Sequence, residues 1–169
     1  TRPDTLYGAM FMVLAPEHPL TEKLSRGTEQ ETAIDAFVKK VKVQDTISRT
    51  SEGGEKEGVF TGAYAVNPLT GESIPVWTAN FVLMDYGSGA VMAVPAGDQR
   101  DWAFATYFGI KIKNIFENVD ISEGACEDKS AILCNSDFLN GMNAKKGIGA
   151  AIKAIQEKGC GKGMTNYRL

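Results

Sequence analysis

"GSGAVMAVPAGDQRDWAF", Gly87 to Phe104, runs a glycine turn into an apolar segment, then a proline, then three charged side chains within four positions. Its first half, "AVMAVP", reads as a strand, an unbroken apolar run suited to burial on both faces. Its second half, Asp98 to Phe108, reads as a helix. Gly97 frees the chain to leave the strand, and Asp98 is a good N-cap. Asp101 falls at the third helical position, where a capping-box carboxylate reaches back to the cap's own N–H. Both acids also complement the positive end of the helix dipole. The same pattern admits a second use. A helix N-terminus that follows a buried strand commonly lies at a pocket rim, and a carboxylate there suits a cation such as an amino-acid ammonium.

Outward from this stretch, the residues from Val59 to Pro95 read as strands. "VFTGAYAV" passes through "NPLTGE", a turn with Asn67, Pro68 and Gly71, into "SIPVWTANFVLM", and "DYGSG" supplies the next turn. "IKIKNIF" (110–116) reads as a further strand, and so does Leu6 to Leu14. "HPLTEKLSRG" is a short helix or turn ended by Gly27. Glu31 to Val43 places Ile34, Phe37, Val38 and Val41 at helical spacing. "SEGGEKEG" (51–58) is a loop by composition, and "ENVDISEGACEDKSA" (117–131) an exposed acidic insertion. The last helix runs from about Asn143 to Lys158, with Ile148, Ala151, Ile152 and Ile155 on one face and "KGCGKG" behind it as a C-terminal stop. The sum is an α+β domain: a strand-rich core between Val59 and Ile115 with helices at its edges.

The chain has 169 residues, 43% hydrophobic and 23% charged, a size and composition that predict one globular domain burying ~70% of its unfolded surface. No apolar run of roughly 18 residues is present to form a membrane helix. The opening "TRPDTLYG" resembles no signal peptide and lacks an initiator Met, which predicts a piece excised from a longer chain. Three scattered cysteines and a single His, His18, support neither a zinc site nor a disulfide framework, and suit a reducing cytoplasm. A Ser-His-Asp or Cys-His hydrolase would have to use His18, between two prolines and with no orienting group suggested. The net charge of −3 excludes a domain that grips nucleic acid by its own basic surface, so any RNA contact is local or anchored from outside.

Three smaller features remain. In "TRPDT", Pro3 stiffens the segment and Asp4 can bond the local backbone, which leaves Thr1 and Thr5 presenting hydroxyls on a constrained loop; the plainer reading is a polar turn into the strand at Leu6. "GSG" is too short for a phosphate loop. Met10, Met12, Met84 and Met92 read as core, and Trp77 and Trp102 as packing anchors rather than base-stacking platforms.

Together, "TRPDTLYG", "NPLTGESIPVWTANFVLMDYGSGAVMAVPAGDQRDWAFA" and the terminal "TNYRL" closely resemble the editing domain (connective polypeptide 1) of bacterial-type leucyl-tRNA synthetase, over essentially the whole chain. The HIGH and KMSKS signatures of the synthetic site are absent. The resemblance implies a β-barrel-like core of mixed strands with peripheral helices, and hydrolysis of the ester of a wrongly charged tRNA(Leu) carrying norvaline, isoleucine or methionine. It implies that Asp101 binds the substrate ammonium and that Thr1 and Thr5 line the amino-acid pocket, Thr5 obstructing leucine. Arg2 is matched to the tRNA end, Met92 and Val94 to apolar walls, Tyr86 to the terminal adenosine, and Asp4, Leu83, Asp98 and Arg100 to further substrate-binding positions. Editing is implied to need no cofactor, ATP and Mg serving only the parent's synthetic site. The implied partners are the 3′-terminal adenosine of tRNA(Leu), the rest of the parent enzyme and benzoxaborole-type inhibitors. One residue departs from the pattern: Gly97 stands where the family usually has His. A weakened domain that binds the RNA end without hydrolysis is therefore a second reading, and the homologous valyl or isoleucyl editing domain a third.

Overall fold

The computed structural model describes residues 2–51, 55–165 and 167. In chain order the elements are β1 (Phe11–Leu14), α1 (Pro19–Ser25), α2 (Glu31–Lys42), α3 (Thr46–Thr50), β2 (Gly58–Val66), β3 (Ser73–Ala79), β4 (Ala90–Ala93), α4 (Gln99–Phe108) and α5 (Ala144–Glu157), with 3₁₀ turns at Pro3–Gly8 and Asp137–Leu139. None of the described helices is long and apolar enough to cross a membrane.

The strands form one mixed sheet in the order β2-β3-β1-β4. β1 runs parallel to β3, with Met12 opposite Val76, and antiparallel to β4, with Met12 opposite Met92. β2 and β3 form an antiparallel hairpin whose register slips between Phe60 and Tyr64, where Gly62 takes φ 84°. The chain is thus α+β as expected, but its described strands make an open four-stranded sheet rather than a closed barrel.

Packing explains the order. Phe11 and Phe104 stack at 5.3 Å under the sheet, and the Trp77 ring meets Phe104 edge-on at 5.4 Å. Phe11, Val13, Ala79, Ala93 and Phe104 are sealed from solvent. The aromatic plug reaches the backbone of β2 so closely that a Cβ at Gly58 would lie 2.7 Å from the Phe104 ring, which only glycine avoids. A second core, with Leu133 and Leu139, joins Tyr7, Val94 and Ala96 to Ile115, Phe116 and Ala151 of α5.

Four expectations are corrected. Leu6–Leu14 is not one strand: Thr5 donates to the Arg2 carbonyl through both its N–H (3.0 Å) and its Oγ1 (2.7 Å), which winds the segment into the 3₁₀ turn. β4 is not buried on both faces. As an edge strand it leaves Ala90, Val91 and Met92 half-exposed. The 110–116 segment forms no strand. Ile115 and Phe116 are buried side by side, breaking the alternation, and its ladder shrinks to one bridge between Phe116 and Leu133. Met84 is 42% exposed, on the turn after β3 rather than in the core. α2 and α5 stand where their periodicity placed them, α5 capped by Asn143 accepting from Lys146 N–H.

Candidate active site

Asp98 caps α4 as its sequence position dictates: Oδ1 accepts from the N–H groups of Arg100 (2.9 Å) and Asp101 (3.2 Å). The capping box is not formed. The Asp98 N–H donates instead to the Val94 carbonyl at 3.0 Å, and Asp101 Oδ2 accepts from the Val94 N–H at 2.8 Å. The Asp101 carboxylate therefore ties the helix back to the end of β4. Burial, reinforced by the neighbouring negative charge of Asp98, pushes its pKa up to about 7 against the opposing pull of the Val94 N–H and Arg100. Arg100 lies against Asp98, Nη2 to Oδ2 at 3.3 Å, and that hydrogen bond raises its own pKa. A carboxyl group so placed is poised between its two protonation states at neutral pH, and gains from any cation brought beside it.

The supposed acidic insertion buttresses this helix start. Gln99 N–H donates to Glu127 Oε1 at 3.1 Å and its side chain accepts from Ala125 N–H at 2.9 Å. Cys126 N–H donates to the Ala96 carbonyl at 2.8 Å, and Trp102 Nε1–H to the Ile121 carbonyl at 2.9 Å. The segment is docked along one edge, not free in solvent.

The N-terminal turn meets α4 because β1 and β4 are antiparallel neighbours: Met10 N–H donates to the Ala93 carbonyl at 3.0 Å, so the entry to β1 adjoins the exit of β4. Within the turn, Arg2 grips Asp4 with two parallel hydrogen bonds, Nε to Oδ1 at 2.9 Å and Nη2 to Oδ2 at 2.8 Å. Asp4 is fully buried. α5 presses on it from behind, since a Cβ at Gly147 would lie 2.9 Å from Asp4 Cβ. Asn67 Nδ2 holds the turn from the other side through the Leu6 carbonyl at 2.8 Å.

A cleft of about 540 Å³ opens where these elements converge. Its wall takes Arg2 and Thr5 from the N-terminal turn, Leu83 and Tyr86 from the turn after β3, Met92 and Val94 from β4 and its end, and Asp98, Arg100 and Asp101 from α4. Gly97 lines it as well. Asp4 does not: it lies beneath Arg2 and orients that guanidinium rather than facing a ligand. Thr1 lies outside the described residues. His18 is not on the wall. It caps α1, its Nδ1 accepting from Leu20 N–H at 3.0 Å.

Sequence reasoning missed Thr50, Phe81 and Val82, which also line the cleft. Phe81 and Val82 carry no pattern apart from the strand before them, and five-residue α3, which supplies Thr50, is too short to show a period.

A family model described as "Leucyl-tRNA synthetase, editing domain" matches residues 1–156. The leucine–tRNA ligases of Flavobacterium psychrophilum and Flavobacterium johnsoniae are similar to the chain at 50% and 51% identity over its full length, which spans 18% of each. Among solved structures, the Agrobacterium radiobacter K84 LeuRS in a ternary complex with tRNA and LeuAMS superimposes with a TM-score of 0.72 at 31% identity, over all of this chain and 18% of that one.

Proposed function

The chain belongs to the leucyl-tRNA synthetase editing-domain family, and from that premise we propose that its cleft hydrolyses the aminoacyl ester of mischarged tRNA(Leu) within a larger cytoplasmic ligase. Water adds to the ester carbonyl carbon, the bond to the ribose oxygen breaks, and free amino acid and an uncharged tRNA 3′ end leave. The observation that carries the reading is the convergence of the half-buried Asp101 carboxyl and the Thr5 side chain on one cleft.

Each group then has a task. Asp101 holds the α-ammonium, a charged hydrogen bond contributing about 1.5–3 kcal/mol. Thr5 is locked, its hydroxyl donating to the Arg2 carbonyl at 2.7 Å, and a locked side chain can exclude leucine while admitting norvaline, isoleucine or methionine. Thr1 is proposed to join it. Leu83 and Tyr86 seat the terminal adenosine, Met92 and Val94 form the apolar floor, and Arg2, oriented by Asp4, faces the RNA end. Asp98 and Arg100 hold the helix start and set the charge around Asp101. An aminoacyl ester is already activated, so placement of ester, ammonium and water supplies much of the acceleration and no cofactor is called for. The remainder of the synthetase carries the tRNA body and the ATP- and Mg-dependent synthetic site. A second pocket is needed because one methylene is worth only about 1–3 kcal/mol of discrimination at the first.

The test is Asp101→Ala in the intact protein that carries this sequence. Deacylation of isoleucyl- and norvalyl-tRNA(Leu) is expected to fall at least about tenfold, as the lost charged hydrogen bond dictates; wild-type turnover overturns the ammonium role. One observation favours a second reading, an RNA-end-binding module without hydrolysis: Gly97, not His, lines the cleft. A Cβ there would sit 3.5 Å from Phe116 Cζ, ordinary contact, so a His fits the backbone. Deacylation that emerges only in Gly97→His supports the binding module, and deacylation by the native sequence removes it.

A further inference from the structure

Arg49 of α3 has no part in the chemistry above, yet its side chain is only 7% exposed and it bonds the backbone on both sides of Phe81, which lines the cleft. Nη1 donates to Glu17 Oε1 at 2.6 Å and Nη2 to Glu17 Oε2 at 3.4 Å. Nε donates to the Asn80 carbonyl at 2.8 Å, and Nη2 also to the Val82 carbonyl at 3.1 Å. A buried ion pair is weak evidence for stability, because desolvation offsets most of its attraction. Its geometry is the informative part. Arg49 is the planar fork that spans two backbone carbonyls flanking Phe81, in the segment where the chain leaves β3 and turns along the cleft.

The two ends of that segment are held differently. Asn80 has anchors of its own: its N–H donates to the Glu57 carbonyl at 3.0 Å and its Nδ2–H to the Glu55 carbonyl at 3.0 Å. Among the described residues, Val82 has only a long N–H bond, 3.5 Å to the Ala79 carbonyl, besides the Arg49 contact. Phe81, Val82 and Leu83 all line the cleft, and so does Thr50, the next residue after Arg49. We propose that Arg49, with Glu17 as its counter-ion, is a positioning residue that fixes the Phe81–Leu83 wall and through it the size selectivity of the cleft. The selectivity part rests on the hydrolytic reading above; the holding of the wall does not. A pocket that separates amino acids by a methyl group needs its wall placed to a fraction of an ångström, which a rigid guanidinium supplies and a mobile loop does not.

The experiment compares Arg49→Met, Arg49→Lys and Glu17→Gln with the wild type in the intact protein, by amide hydrogen exchange and by steady-state deacylation of isoleucyl- and leucyl-tRNA(Leu). In Arg49→Met the amides of Phe81, Val82 and Leu83 are expected to exchange at least about tenfold faster while those of α4 keep their protection. KM for isoleucyl-tRNA(Leu) rises about five- to twentyfold with kcat within about twofold, and leucyl-tRNA(Leu) becomes a detectable substrate. Arg49→Lys restores part of both effects, since an ammonium serves fewer of the four acceptor atoms, and Glu17→Gln moves both in the same direction but less. Wild-type exchange at residues 81–83 in a folded Arg49→Met overturns the proposal, as does a fall in kcat with KM and selectivity unchanged. Should Arg49→Met not fold, the same readouts on Arg49→Lys and Glu17→Gln decide. Were the wild type to deacylate nothing, the hydrolytic reading would fail and the exchange data would still judge the wall.

Discussion

Asp101 carries opposite consequences for stability and for function, and both follow from its raised pKa. Between its ordinary value of 3.8 and about 7 the folded chain holds a proton that the unfolded chain has released. Stability therefore falls as pH rises through that window and levels off above it. Asp101→Asn removes the term while its side-chain oxygen can still accept from the Val94 N–H. The variant is expected to unfold at the same temperature as wild type near pH 4 and to be more stable by a few kcal/mol above about pH 7, read from thermal unfolding across pH; equal stability at pH 8 contradicts the burial of this charge. Function runs the other way. In the proposed reaction ammonium binding needs the carboxylate, so kcat/KM for deacylation should drop tenfold per unit as pH falls below about 7. Thr5 acts at the same scale. Thr5→Ala removes a methyl and a hydroxyl from the locked position, and leucyl-tRNA(Leu) hydrolysis should rise about 10–200-fold, the range one such group commands. A leucyl ester that stays intact in the variant ends the steric-block account.

At the scale of elements, α5 shows how a helix is shaped by what it touches. It contains two interior glycines, each of which lowers helix stability by roughly 0.5–1 kcal/mol relative to alanine. Gly149 has nothing within 4 Å of its would-be Cβ, whereas Gly147 faces Asp4 Cβ at 2.9 Å and Leu133 Cδ1 at 3.2 Å. Alanine at 149 should therefore stabilise by roughly 0.5–1 kcal/mol. Alanine at 147 should destabilise by about 1–3 kcal/mol, because neither the Arg2-bound Asp4 nor the core Leu133 can yield freely. Denaturant unfolding of the two variants checks the opposite signs. α4 was legible from its N-cap; in the structure it closes on Gly109, in the left-handed region at φ 68°. What was not legible was the N–H that donates to Asp101. The capping box and the bond to Val94 compete for one carboxylate, and only the path of the chain at the end of β4 decides between them.

For the molecule as a whole, a net charge of −3 leaves little phosphate neutralisation to drive RNA binding. The isolated 169-residue chain is expected to bind tRNA(Leu) no tighter than micromolar at physiological salt and to edit poorly; nanomolar binding by filter retention or calorimetry would refute that. The sequence by itself determined whatever is settled within a few residues. It set the cap at Asp98, the turns at "NPLTGE" and "DYGSG", and the amphipathic α2 and α5. Those interactions are local, so residue types at fixed spacings encode them. Tertiary structure alone decided the open edge at β4, the burial of Asp4 beneath Arg2, and the docking of residues 121–127 on α4. It also decided the reach of Arg49 from α3 to the carbonyls of Asn80 and Val82. Each of these joins segments far apart in the chain, and the energy of burying a charge or closing a cleft exists only once those segments have met.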